Sequence, residues 1–422
     1  MSFSFFFNVA LHLMNQKIKI LLIHTRNIFE QDGACANRWR TMVEGLAHKE
    51  VEIQIIFTQG YGSIREFKKY GWKGKIGNIS YLYTIFLLHN SLWMRRISMY
   101  LLSPLLKKIN ILRTREKIKT YRPDVVWLLS AIEVFDIYLG AIGKETKPGY
   151  QLMIELNEFN DNGLVHSTNK LQLEISKRYS TVLLTEILPK MDLLLLMTKH
   201  LLDHYRQFTD PDRAKFLHLP MTVDLNRFNL KREPVSRYIA YCGSSSFVKD
   251  GVDILLQSFA LIADKYPDVK LKIAAFMEAD GCKMIDLIKD LHLQDKVEYV
   301  GELRRDEIPE FIKNAELLLL PRPDSRQAQG GFPTKLGEYL ASGNPVCVTT
   351  VGEIPDYLVD NESAFMAEPG SVVSFVSAID KALSDPVNAK RVGLNGHSVA
   401  MEYFSMDVQA NRLYNFLIEQ VG

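Results

Sequence analysis

Residues 330–341 read GGFPTKLGEYLA and follow directly on an apolar run, AELLLLP (315–321). Lys335 and Glu338 are three positions apart, so on a helix they share one face. One reading is a surface ion pair worth only about 0.3–0.5 kcal/mol. The other gives each a ligand group of its own. Lys335 meets a phosphate, and the two oxygens of Glu338 accept from the adjacent hydroxyls of a ribose. Pro333 suits a helix start, where its missing N–H would be unpaired anyway. Thr334 is a candidate cap. Gly337 inside the helix costs about 1 kcal/mol against alanine, which points to close packing.

A second loop, GSSSFVKDGVD (243–253), has the same flavour. Gly243 lets the backbone approach a ligand, the hydroxyls of Ser244, Ser245 and Ser246 are donors, and Lys249 adds a point charge at a helix start. Together these suit a diphosphate. Taken alone, the stretch reads better as a plain loop with Lys249 in water.

Both loops follow apolar strand-like runs, and such runs recur along the 422 residues. KIKILLIH (17–24), VEIQIIFT (51–58), DVVWLL (124–129), YQLMIEL (150–156), MDLLLLMT (191–198) and KFLHLP (215–220) fall in the first half. RYIAYCG (237–243), VKLKIAAF (269–276), KVEYVG (296–301), AELLLLP and NPVCVTT (344–350) fall in the second. Amphipathic helical stretches such as VDILLQSFALIADKY (252–266) lie between them. This alternation predicts α/β architecture with parallel sheets covered on both faces. The length predicts two domains, and the polar stretch NLKREPVSR (229–237) marks the break. In such sheets ligands bind beyond the carboxyl ends of the strands, so two facing domains enclose a cleft.

The four cysteines, Cys35, Cys242, Cys282 and Cys347, show neither paired nor metal-ligand spacing, which fits buried thiols in a reducing compartment. No apolar run reaches the ~20 residues of a spanning helix. MSFSFFFNVALHLMNQ is a poor signal peptide, and the first thirteen to sixteen residues are expected to be a disordered tail or a mis-assigned start. Residues 61–122 carry fourteen Lys and Arg against two acids, a local +12 within a chain of net +2. Arg95, Arg96, Lys107 and Lys108 are interleaved there with YLYTIFLLHNSLWM (81–94) and MYLLSPLLKKI (99–109). This reads as a surface for an anionic membrane, with a solvated face as the bland alternative. The apolar density argues against nucleic acid.

GGFPTKLGEYLASGNPVCVTTVGEIPDYL resembles the donor-site signature of glycosyltransferase family 4, whose pattern is Glu-Gly-Phe-Gly, four residues, Glu-Ala-Met-Ala, then Gly-x-Pro-Val. Glu338 takes the place of the second glutamate, which in the family holds the ribose. Gly330 stands where the first is usual, and Pro333 replaces the second glycine. The form F-P-T-K-L-x-E-Y-L-A resembles a subgroup that builds bacterial surface polysaccharides. GSSSFVKDGVD resembles the family's phosphate loop, with Lys249 at the lysine and Ser244 where arginine is commoner. HLPMTVDLNRF (218–228), QDGACANRW (31–39) and MEYFSMDVQANRLYNFL (401–417) extend the resemblance over nearly the whole chain.

The resemblance implies a GT-B fold, with two doubly wound Rossmann-like domains facing a cleft. Residues 1–232 would bind the acceptor and 233–400 the donor, while 401–422 pack back on the first domain. It implies retaining, metal-independent transfer from a nucleotide-sugar to a saccharide acceptor, with no cofactor and no metal site, and the basic, apolar segment 61–122 adds the expectation of a lipid-linked acceptor met at the cytoplasmic leaflet. Lys249 and Lys335 would stabilise the leaving diphosphate. Gly243, Ser244, Ser245, Gly330, Gly331, Phe332, Thr334 and Glu338 would line the donor site, and Asp32, Gly33 and Arg38 the acceptor side. Glu155 and Glu158, in IELNEFNDN (154–162), are the acids offered as base, beside Asn157 and Asn160. A sugar-nucleotide epimerase or phosphorylase of the same fold, a hydrolase with paired carboxylates, and a non-catalytic subunit stay open as alternatives.

Overall fold

The computed structural model describes residues 17–87, 102–143, 149–159, 170–233, 236–277 and 281–421. Residues 1–16, Arg95, Arg96 and Asn160 lie outside them. Two sheets organise the chain. The first holds β1 Ile18–His24, β2 Val51–Phe57, β3 Lys73–Ile76, β4 Ile79–Tyr83, β5 Val125–Leu128, β6 Gln151–Leu156, β7 Leu193–Leu196 and β8 Lys215–His218. Their spatial order is β3-β4-β2-β1-β5-β6-β7-β8. Only the edge pair β3–β4 is antiparallel. The second holds β9 Tyr238–Ser244, β10 Lys270–Phe276, β11 Val297–Gly301, β12 Leu317–Leu320, β13 Val346–Thr349 and β14 Phe365–Ala367. It is wholly parallel, ordered β11-β10-β9-β12-β13-β14.

The central strands are apolar without alternation because both faces are covered. In β7 and β12, each Leu-Leu-Leu-Leu, every residue is buried, and each such side chain contributes about 1.5–3 kcal/mol of burial. The edge pair β3–β4 and the short β14 are additional to the strands expected from the sequence. In β4 the alternation ISYLY buries Ile79, Tyr81 and Tyr83. This corrects the membrane reading of residues 81–94 at its amino-terminal end: those tyrosines face the core, and Tyr83 is bonded to Asn27 and Glu66.

The helices that bear on the site are α1 Ala34–Ala47, α2 Ser103–Tyr121, α3 Phe247–Asp250, α4 Arg326–Gly330, α5 Thr334–Ser342 and α6 Met406–Val421. The chain returns to the first domain at its end. Leu413, Phe416 and Leu417 of α6 share one apolar cluster with Trp39, Met42 and Val43 of α1. A separate cluster joins the two sheets, with Phe332, Leu336 and Phe404 packed together with Met221, Val223, Leu194 and Leu196. Gly337 is needed at that seam, since a Cβ there would lie 2.6 Å from Met221 Cε.

Candidate functional site

A cavity of about 510 Å³ opens beyond the carboxyl ends of both sheets, a volume suited to a small-molecule ligand. Asp32, Gly33, Asn157 and Glu158 line it from the first domain. Gly243, Ser244, Lys249, Asp250, Arg305, Arg322, Gly331, Phe332, Thr334, Lys335 and Glu338 line it from the second. The two loops singled out in the sequence therefore form one wall, 92 residues apart though Gly243 and Lys335 are.

The centre of that wall is an ion pair. Lys335 Nζ lies 2.8 Å from Asp250 Oδ1 and donates to Tyr241 Oη at 3.2 Å. Ser244 Oγ donates to Asp250 Oδ2 at 2.6 Å. Burial alone would raise the Asp250 carboxyl. The Lys335 ammonium and the Ser244 hydroxyl outweigh it and hold that carboxyl well below the usual range. Burial, with Asp250 beside it, pushes the Tyr241 phenol well up, so Tyr241 stays a neutral support. Gly243 leaves room for this arrangement, because a Cβ there would overlap Lys335 Nζ. Lys249 is exposed on α3 and reaches the same cavity. Ser246 caps α3, accepting from Lys249 N.

Glu338 has a different partner. Its Oε1 accepts from Arg227 Nη1 at 2.8 Å, and Arg227 Nη2 donates to the Arg305 carbonyl at 2.7 Å. Arg305 Nε donates in turn to Asn37 Oδ1 of α1 at 2.7 Å. A chain of polar contacts thus runs from the first domain to Glu338. Burial, with Arg227 and Arg40 nearby, lowers Arg305 to about 10. The pair expected from helical spacing, Lys335 with Glu338, gives way to two others because each side chain finds a nearer ion in another element.

Several expected site residues lie off the cavity or are engaged in other contacts. Glu155 does not face the cleft. It is 3% exposed on β6 and forms a buried ion pair with Arg38, itself 1% exposed. Arg38 also donates to the carbonyls of Leu219 and Pro220. This pair ties α1 to β6 and to the segment leaving β8, so Glu155 is no free base and Arg38 no free acceptor contact. Ser245 is fully buried and off the cavity wall. Thr334 caps nothing: Pro333 occupies the cap position, and no side chain caps α5. Gly330 ends α4 below the wall, its carbonyl accepting from Thr198 Oγ1. Lys107 on α2 is paired with Asp136 at 3.0 Å.

Sequence reasoning passed over Asp250, Arg227, Arg305 and Arg322. Asp250 sits inside the quoted loop GSSSFVKDGVD, and a carboxylate next to a lysine at a helix start was the signal available. Arg322 lies two residues past β12, and a lone cation after a wholly apolar strand is a weaker one. It is 7% exposed, and burial lowers its guanidinium below its ordinary value. Among the described residues, no group of three or more His, Cys, Asp or Glu side chains is placed to hold a metal ion.

Residues 223–399, which carry Lys249, Lys335 and Glu338, match the family model for Glycosyl transferases group 1. The carboxy-terminal domain is a group 1 glycosyl transferase domain. The chain is 28% identical over 188 residues to the MMP alpha-(1->4)-mannosyltransferase of Mycolicibacterium hassiacum, covering 44% of each. It is 28% identical over 189 residues to the capsular polysaccharide biosynthesis glycosyltransferase CapM of Staphylococcus aureus, covering 44% of this chain and 47% of that one. The chain thus spans less than half the length of these two relatives. Over most of its length it shares the GT-B fold of Anabaena HepE, solved in complex with UDP-glucose. There the TM-score is 0.66 at 13% identity, covering 95% of this chain and 100% of that one.

Gly330 stands where the resemblance puts the family's first glutamate. A Cβ there would lie 2.5 Å from Phe159 Cδ2 and 3.3 Å from Leu201 Cδ2. A side chain at this position would have to displace the Phe159 ring.

Proposed function

We propose that the protein transfers a glycosyl group from a nucleoside-diphosphate sugar to a saccharide acceptor in the assembly of a cell-surface polysaccharide, with retention at the anomeric carbon. The observation that carries this reading is the convergence of Lys249, Lys335 and Glu338 on one wall of a cleft whose opposite wall is polar. In this reading Glu338 holds the ribose, held in place by Arg227, and the two lysines face the diphosphate. As the bond between the anomeric carbon and the diphosphate breaks, its electron pair stays on the leaving group. Fixed cations stabilise that charge more in the transition state than in the ground state, and no metal ion is required of them. Asp32, Gly33, Asn157 and Glu158 form the acceptor side.

We further infer a lipid-linked acceptor met at an anionic, cytoplasmic membrane surface. Support comes from α2, where exposed Lys108 lies among the exposed Leu105 and Leu112. Among the described residues no helix is long and apolar enough to cross a membrane. The test of the reaction is kinetic. Lys249→Ala and Lys335→Ala should each lower turnover of a nucleotide-sugar more than they weaken binding of the bare nucleoside. Chelator should change nothing. Equal losses in both quantities, or activity that chelator abolishes and magnesium restores, would contradict it. Products formed with and without acceptor separate transfer from epimerisation or phosphorolysis.

A further inference from the structure

Arg322 follows β12 by two residues and lines the same cavity as Lys249 and Lys335. The β9–β12 register sets Leu317 opposite Ile239 and Leu318 opposite Ala240. Continued past the last paired residues, that register brings Arg322 level with Ser244, beside the phosphate-type loop. Its Nε is buried and has no hydrogen-bond partner. Nη2 reaches the Gln327 carbonyl only at 3.4 Å, at the weak end of the range. A guanidinium 7% exposed and so poorly bonded is costly unless an anion completes its surroundings. Asp250 is near, but its two oxygens already take the Lys335 ammonium and the Ser244 hydroxyl.

The local charge balance points to the class of that anion. Arg322, Lys335 and Lys249 stand against the carboxylates of Asp250 and Glu158, so this end of the cleft keeps a net positive charge. A diphosphate diester carries about two negative charges, and the planar fork of a guanidinium suits phosphate oxygens. Ser244, on the loop after β9, contributes only a hydroxyl directed at Asp250. We propose that Arg322 donates to the diphosphate of the bound nucleotide and supplies, from β12, the guanidinium that the loop after β9 lacks. This rests on the donor reading above and adds a residue to it.

The probes are UDP, GDP, ADP and the corresponding monophosphates, titrated calorimetrically into the full chain. For the diphosphate that the wild type prefers, Arg322→Gln should raise Kd by between about tenfold and a hundredfold. The monophosphate should lose less, so the ratio of the two affinities contracts. Arg322→Lys should recover part of the loss. Arg322→Met removes a buried, poorly paired charge, so its Tm should be no lower than that of the wild type. An unchanged diphosphate-to-monophosphate ratio in Arg322→Gln, while Lys335→Ala contracts it, overturns the assignment of Arg322 and leaves the donor reading standing. A marked fall in Tm with that ratio intact makes Arg322 a structural residue. Failure of the wild type to bind any of the nucleotides at millimolar concentration overturns both.

Discussion

Replacing Glu338 by alanine probes ribose recognition apart from everything else at the site. The carboxylate and its partner are largely shielded, at 15% and 12% side-chain exposure, and they are 2.8 Å apart. The second oxygen and the remaining lone pairs are available to a vicinal diol. Loss of charge-assisted bonds to that diol costs roughly 1.5–3 kcal/mol, so Kd for the preferred nucleoside diphosphate should rise between about tenfold and a hundredfold. The fold should survive. Arg227 keeps its bond to the Arg305 carbonyl and its place 5.3 Å from the Phe228 ring. Removing its ion-pair partner leaves a shielded guanidinium with less compensation, so Tm should fall by more than an exposed pair would cost while the protein stays folded. The decisive control is the same nucleotide with a 2′,3′-dideoxy sugar. Calorimetry should find wild type and Glu338→Ala binding it equally weakly. A variant that binds the ribose form as tightly as the wild type, or that weakens both forms by the same factor, would refute the reasoning.

Two other outcomes follow from the geometry. Asp250, depressed by Lys335 and Ser244 against the effect of its burial, contributes stability that is fully present above its unfolded pKa of about 3.9 and is lost as pH falls towards its folded value. Asp250→Asn should therefore lower Tm at neutral pH and flatten the acid dependence of Tm below pH about 4; an unaltered Tm–pH curve would contradict the pairing. Anionic vesicles should bind the protein at low salt and release it as salt screens charges within ~8–10 Å. Each freely exposed Lys or Arg contributes about 1 kcal/mol. Glutamine at Arg95, Arg96, Lys107 and Lys108 together should abolish flotation with donor affinity intact, and Lys108→Gln should matter more than Lys107→Gln, because Lys107 already pairs with Asp136.

What the sequence conveyed and what it withheld divide along physical lines. The buried parallel strands were legible because both faces are apolar, which leaves runs such as LLLL in β7 and β12. β4 was misread because its tyrosines fall within a basic segment, and a half-buried strand next to the sheet edge in that company looks like an interfacial segment. The two loops that line the cavity stood out because glycine, hydroxyl and lysine crowd together just after strands. Ion partners were not legible. Arg38 and Glu155 are 117 residues apart, and Arg227 and Glu338 are 111 apart. Only the fold decides that Glu155 is neutralised inside the first domain while Glu338 is held at the cleft. Helical spacing correctly put Lys335 and Glu338 on one face, yet it is silent about the stronger pairings that Asp250 and Arg227 offer from other elements.

The central claim is sugar transfer from a nucleotide carried by the second domain to an acceptor on the first. The most direct measurement incubates the full chain with a panel of nucleoside-diphosphate sugars and polyprenyl-linked saccharide acceptors, with mass spectrometry of the acceptor and quantitation of the released nucleoside diphosphate. The account predicts an acceptor heavier by one glycosyl residue, in stoichiometric step with nucleoside diphosphate. The reaction should persist in chelator and fall sharply in Lys335→Ala. Nucleoside diphosphate released with no glycosylated acceptor, or turnover unaffected by Lys335→Ala, would contradict it.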